Sequence, residues 1–133
     1  MYALGKGVPK DYSEAVKWYK LAANQGHAIA QYKMGISYDM GHGIPQNYKE
    51  AMKWYELAAN QKVPQAQYNL GLMYGDGDGV PKNYILAFMW INLAASKGIE
   101  AAIKVQTKLE ERMTNKQLAK AQRLAREWKP KEE

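Results

Sequence analysis

Small and apolar residues recur along the chain at helical spacing. Ala15, Trp18, Tyr19 and Ala22 stand at i, i+3, i+4 and i+7, one face of a helix, and Ala51, Trp54, Tyr55 and Ala58 repeat that face. A second kind of stripe carries Ala30, Met34 and Tyr38, matched by Ala66, Leu70 and Tyr74. The pattern predicts an all-α chain built from helix pairs.

Shifting the sequence against itself by 36 residues aligns three copies without a gap. Gly5-Lys6-Gly7-Val8-Pro9 falls on Gly41-His42-Gly43-Ile44-Pro45 and on Gly77-Asp78-Gly79-Val80-Pro81. The match runs on through Ala15/Ala51/Ala87, Trp18/Trp54/Trp90, the Leu-Ala-Ala triplets at 21, 57 and 93, and Gly35/Gly71. Asp11 with Glu14 and Asn47 with Glu50 read as capping-box starts; at Asn83 the cap remains, but Leu86 replaces the Glu. Gly26 and Gly98 suit a left-handed helix stop, and Lys62 holds that position in the middle copy at a cost of about 1 kcal/mol. Pro64 fits the first turn of the helix that follows. Gly35 and Gly71 cost roughly 1 kcal/mol each inside a helix, so a neighbouring helix is expected to cross close to them. The Gly-x-Gly-[Val/Ile]-Pro segments read as tight turns whose Val or Ile plugs the core.

Past Ala102 the signature fades, with Thr107 in place of the packing Gly and Glu110 in place of the Tyr. Ala102, Val105, Leu109 and Met113 still make a stripe. Thr114-Asn115-Lys116-Gln117 is a capping-box start for a last helix carrying Leu118, Ala121, Ala125 and Trp128. Helices over about 99–113 and 115–128 are expected to cap the array. Met1-Tyr2 align with the end of a helix whose body is missing, so residues 1–26 read as a truncated first repeat. Units 27–62 and 63–98, cap helices over 99–129 and a tail at 130–133 complete one repeat domain.

These residues carry a resemblance. Ala-x-Ala-Gln-Tyr-x-[Met/Leu]-Gly-x-x-Tyr, then Gly-x-Gly-[Val/Ile]-Pro, then Tyr-x-x-Ala-x-x-Trp-Tyr-x-Leu-Ala-Ala is similar to the Sel-one-like repeat (SLR) family, a relative of the tetratricopeptide repeat. The resemblance covers about residues 2–102. It implies a right-handed superhelical solenoid of antiparallel helix pairs, an adaptor role in protein complexes, and a bacterial source. It slightly favours the cell envelope over the cytoplasm, but the residues themselves assign no compartment.

Composition narrows the chemistry. With no Cys among 133 residues there is no disulfide framework, thiol nucleophile or thiolate metal site. No run of about 18 apolar residues exists to span a membrane. The net charge of +6 raises nucleic acid as a partner, but residues 1–103 hold ten Lys/Arg against eight Asp/Glu, so the excess sits in the tail as a solvated basic face. Nucleic acid is not the expected partner. His27 and His42 lie in turns without a second His or Cys at ligand spacing. Asp76-Gly77-Asp78-Gly79 lacks a Glu at the twelfth position, which is Ala87, and reads as a turn rather than a calcium loop. Every Tyr, and three of the four Trp, fall in repeated columns, which points to packing rather than to a stacking surface. No catalytic constellation, metal site or cofactor is expected, and the chain reads as a non-enzyme. The alternative is a cell-wall or β-lactam-related hydrolase, an activity linked to cysteine-rich members of the family; the missing cysteines count against carrying it over.

One helix face does not repeat. It comprises Ile29, Lys33, Ile36 and Met40, then Gln65, Asn69, Leu72 and Asp76, then Ala101, Val105, Lys108 and Arg112. A face free of packing constraint is free to specialise, and in tetratricopeptide-like arrays this helix lines the concave surface. The first eight of these residues are the candidate partner-binding set, for a protein or peptide. Lys33 and Asn69 share a column and suit a peptide carboxylate. Self-association through the Ala15, Trp18 and Tyr19 edge is also expected.

Overall fold

The computed structural model describes residues 11–130, which form seven helices of 13 residues each. They are α1 (Tyr12–Asn24), α2 (Ala28–Met40), α3 (Tyr48–Asn60), α4 (Pro64–Asp76), α5 (Tyr84–Ser96), α6 (Glu100–Arg112) and α7 (Asn115–Glu127). The Met1-Tyr2 alignment, the first Gly-x-Gly turn and the end of the tail lie outside the described residues.

Local chemistry sets the helix bounds. The side chains of Asp11, Asn47 and Asn83 accept from the amides of Glu14, Glu50 and Leu86 at 3.0, 3.1 and 3.0 Å. The reciprocal capping box closes at Thr114, where Gln117 Oε1 accepts from the Thr114 amide at 2.9 Å. At the first cap the Glu14 carboxylate turns instead to Lys17. Pro64 occupies the first turn of α4. The stop positions follow the sequence: Gly26 and Gly98 have φ of 90°, and Lys62 is forced to φ 67°.

Each helix packs on its neighbour in order, from α1 on α2 to α5 on α6, while α7 folds back across α5. The result is a solenoid of antiparallel helix pairs closed by a capping helix. Close crossings explain the helix-interior glycines. A Cβ at Gly35 would collide with the Tyr55 ring, and one at Gly71 would stand 2.7 Å from Ile91 Cγ1. In the middle copy Ala51, Trp54, Tyr55 and Ala58 are all buried. Gln31 and Gln67 add a device the sequence did not reveal. Each is buried, with its Nε2 donating to the carbonyl of Ala23 or Ala59 near the end of the preceding helix. Gln61 Nε2 donates to Gln31 Oε1 of its own unit at 2.8 Å and to the Gly26 carbonyl of the unit before at 2.9 Å.

Not every repeated aromatic is a core residue. Trp54 and Trp90 are buried, but Trp18 is 62% exposed. Trp54 packs among Val16, Ala23, Ala30 and Met34 of the two helices before it, whereas no described helix precedes α1. The Tyr12/Tyr48/Tyr84 column also departs from the expectation, since Tyr12 and Tyr48 are exposed. These rings stand at the first helical position, where the backbone does the packing: a Cβ on Gly43, at φ 79°, would collide with the Tyr12 carbonyl.

Candidate functional site

The non-repeating face lies on α2, α4 and α6. On α2, Ile29 and Met40 are 59% and 62% exposed, Lys33 is exposed, and Ile36 is half-buried against the core. On α4, Gln65 and Asp76 are exposed and Asn69 and Leu72 half-buried. The α6 residues Ala101, Lys108 and Arg112 are exposed and Val105 half-buried.

Lys33 and Asn69 occupy different environments despite their shared column. The Asn69 side chain neighbours the phenols of both Tyr32 and Tyr55, while the Tyr55 hydroxyl donates to Asp39 Oδ2 at 3.0 Å. Burial, then the neighbouring Asp39 carboxylate, pushes the Tyr55 phenol well above its ordinary range. Burial raises Tyr32 as well, against the opposing Asn69 contact. Tyr32, Tyr55, Asp39 and Asn69 thus form a polar cluster between α2, α3 and α4.

One unit further on, Gly75 replaces Asp39, Ile91 replaces Tyr55 and Val105 replaces Asn69. The polar cluster is gone, and a groove of about 290 Å³ lies between α4 and α6. Leu72, Asp76, Val105, Lys108 and Arg112 meet there, joined by Gly75, Leu109, Lys82 and Tyr84. Ile29, Lys33, Met40 and Gln65 are not part of it. Lys82 was hidden from sequence reasoning because its column looks like a plain turn position, and Tyr84 because its repeated column points to packing. Gly75 did leave a signal, since its column reads Asp39, Gly75, Glu111.

His42 stacks on Tyr12 at 4.3 Å, and among the described residues no group of three His, Cys, Asp or Glu side chains is placed to hold a metal. Gly77 takes φ 77° at the end of α4, so Asp76 and Asp78 flank a helix stop. Among the described residues no helix is long and apolar enough to cross a membrane.

A stacked array of helix pairs whose variable face lies on alternate helices defines an α-solenoid of the interaction type. The Sel1 repeat model matches residues 1–27, 28–63 and 64–99, and the chain belongs to the Sel1 repeat family. That family consists in general of protein-interaction scaffolds. A similar solved structure is c5321, a protective antigen present in uropathogenic Escherichia coli strains and displaying an SLR fold. It is 28% identical over 92% of this chain, with a TM-score of 0.86. A Sel1 repeat protein from Oxalobacter formigenes is 41% identical over 79% of this chain, with a TM-score of 0.73. The chain spans only 27% and 43% of the lengths of those two proteins. Comparison with curated proteins gives no match.

Proposed function

We propose that this chain is a non-catalytic adaptor that holds a protein or peptide partner along the α2–α4–α6 face. One observation carries the reading: packing columns are conserved between units of this chain, while the residues of that face differ, and Ile29, Lys33, Met40, Gln65 and Asp76 among them are exposed. Ile29, Lys33, Ile36, Met40, Gln65, Asn69, Leu72 and Asp76 supply the contacts in this proposal. Exposed Ile29 and Met40 are its apolar anchors, and Lys33 its cation for an acidic group. Asn69 contributes from within the tyrosine cluster, so its substitution alone also perturbs packing. Ile29→Glu with Met40→Glu should abolish capture of the partner while leaving the melting transition in place. Undiminished capture by that folded variant would overturn the face. Turnover of nitrocefin well above background by the purified chain would overturn the non-catalytic part.

Of the expected Ala15, Trp18 and Tyr19 edge, Ala15 is buried and Tyr19 half-buried, so a second contact surface is favoured instead by the exposure of Trp18 and Leu21, 62% and 58%, on the same helix. We propose that two copies associate through this edge of α1.

A further inference from the structure

The groove between α4 and α6 differs from its counterpart one unit upstream in the residues that line it and in their charge. Upstream, the corresponding positions hold Asp39, Met40, Gln46 and Asp76, and the Asp39 carboxylate is engaged by Tyr55. Downstream, the same positions hold Gly75, Asp76, Lys82 and Arg112, with Lys108 in the column of Leu72. Two acids and no cation upstream become three cations and one acid downstream. The floor of the downstream groove is apolar: Leu109 is buried, and Leu72 and Val105 are half-buried. Lys82, Lys108 and Arg112 are exposed on the rim, and among the described residues none of them is in an ion pair. The Lys82 stem lies against Gly77, where a Cβ would come within 2.9 Å of its Cγ.

We infer that the α4–α6 groove is a docking site for an acidic peptide segment that inserts one large apolar side chain, Leu or Phe, beside Gly75. Its volume of about 290 Å³ lies at the lower edge of small-ligand pockets, which start near roughly 300 Å³, and so suits one side chain. The cations select what surrounds that anchor. A single terminal carboxylate would neutralise only one of them, whereas acidic residues on both sides of the anchor meet Lys82 on one wall and Lys108 and Arg112 on the other. Arg112 presents a fork that takes a carboxylate at two points. Gly75 is what keeps the site open. A Cβ built there would stand 3.7 Å from Ala87 Cβ and 3.9 Å from Leu109 Cδ2, ordinary contacts, so the helix does not itself require a glycine.

The inference rests on the reading of this face as a partner groove, and the test separates the two. The probe is an acetylated, amidated Glu-Glu-Leu-Glu-Glu peptide titrated calorimetrically into the full chain at low and physiological salt. Saturable binding that weakens with salt is expected. Replacing the Leu of the peptide by Ala should weaken it about tenfold or more. Lys108→Ala and Arg112→Ala should each weaken it about three- to fivefold, as exposed cations do. Gly75→Asp, which puts a carboxylate where the upstream unit has Asp39, should remove binding from a chain that circular dichroism shows to be folded. A free-carboxylate Leu peptide without the acids should bind no better than the Ala peptide. The inference falls if no probe saturates, if a Lys-Lys-Leu-Lys-Lys control peptide binds equally, or if binding ignores the Leu, as a diffuse anion effect would. It also falls if Gly75→Asp leaves binding intact while Lys33→Ala removes it, an outcome under which the adaptor reading stands. Conversely, Gly75-dependent binding together with partner capture indifferent to Ile29 and Met40 would keep this site and overturn the broader face.

Discussion

At the scale of single residues, backbone conformation and close approach decide which side chains the chain tolerates. Lys62 holds a left-handed φ of 67° where the other units have Gly26 and Gly98. Lys62→Gly should therefore stabilise the fold by about 1 kcal/mol, read from denaturant midpoints. Gly71 and Gly75 share a helix but not an environment. Gly71→Ala should destabilise by roughly 1–3 kcal/mol, because the new methyl meets Ile91 at 2.7 Å and Ala87 O at 3.1 Å. Gly75→Ala should be neutral or gain up to about 1 kcal/mol from helix propensity. Tyr55 supplies a pH dependence. Its folded-state phenol titrates above the ordinary value of 10.0, so the neutral form is the one the core holds. Its contribution is complete below pH 10.0 and is lost as pH rises beyond it toward the folded value. Alkaline unfolding should start above that pH, and Tyr55→Phe should flatten the decline.

Among the elements, α7 has the clearest separable role. It packs back on α5, its capping box fixes its start, and Trp128 meets Trp90 edge-on at 5.8 Å. The Trp128 ring is only half-buried, because it sits at the helix end. Trp128→Ala should cost about 2 kcal/mol, below the roughly 3–5 of a fully buried ring. Thr114→Ala should add about 1 kcal/mol through the lost cap. Thermal melts of the two variants, and of the pair, would show whether the cap stabilises the array; melting temperatures unchanged in all three would contradict it.

For the molecule as a whole, a Trp of this column is buried by the helices that precede it, as Trp54 is covered by α1 and α2. The same arrangement leaves Trp18 and Leu21 in solvent on α1. Sedimentation of the chain across a concentration series should show a reversible monomer–dimer equilibrium. Trp18→Ser with Leu21→Ser should return it to monomer with little loss of fold, since exposed apolar residues contribute little to the core. Monomeric behaviour of the parent chain at high concentration would contradict the proposed edge.

The helices, their caps and the repeat were legible from residues alone, because each depends on partners within a few positions. Asp11 needs only the Glu14 amide, and Ala51, Trp54, Tyr55 and Ala58 mark a face by spacing. Gly35 and Gly71 even announced the crossings, since their local cost demanded a tertiary cause. Column logic went wrong where backbone rather than ring does the packing, as at Tyr12 and Tyr48, whereas the exposure of Trp18 against Trp54 follows the uncovered edge expected of the first helix. The non-repeating face could be named from sequence, but not its division into a half with a polar cluster and a half with an open groove. That division arises from side chains brought together across units: Asp39 on Tyr55 and Asn69 in one, Gly75 beside Val105 and Leu109 in the next. Spacing within a helix fixes which way a residue points, whereas only the packing of α4 against its neighbours determines whether the space it points into is occupied.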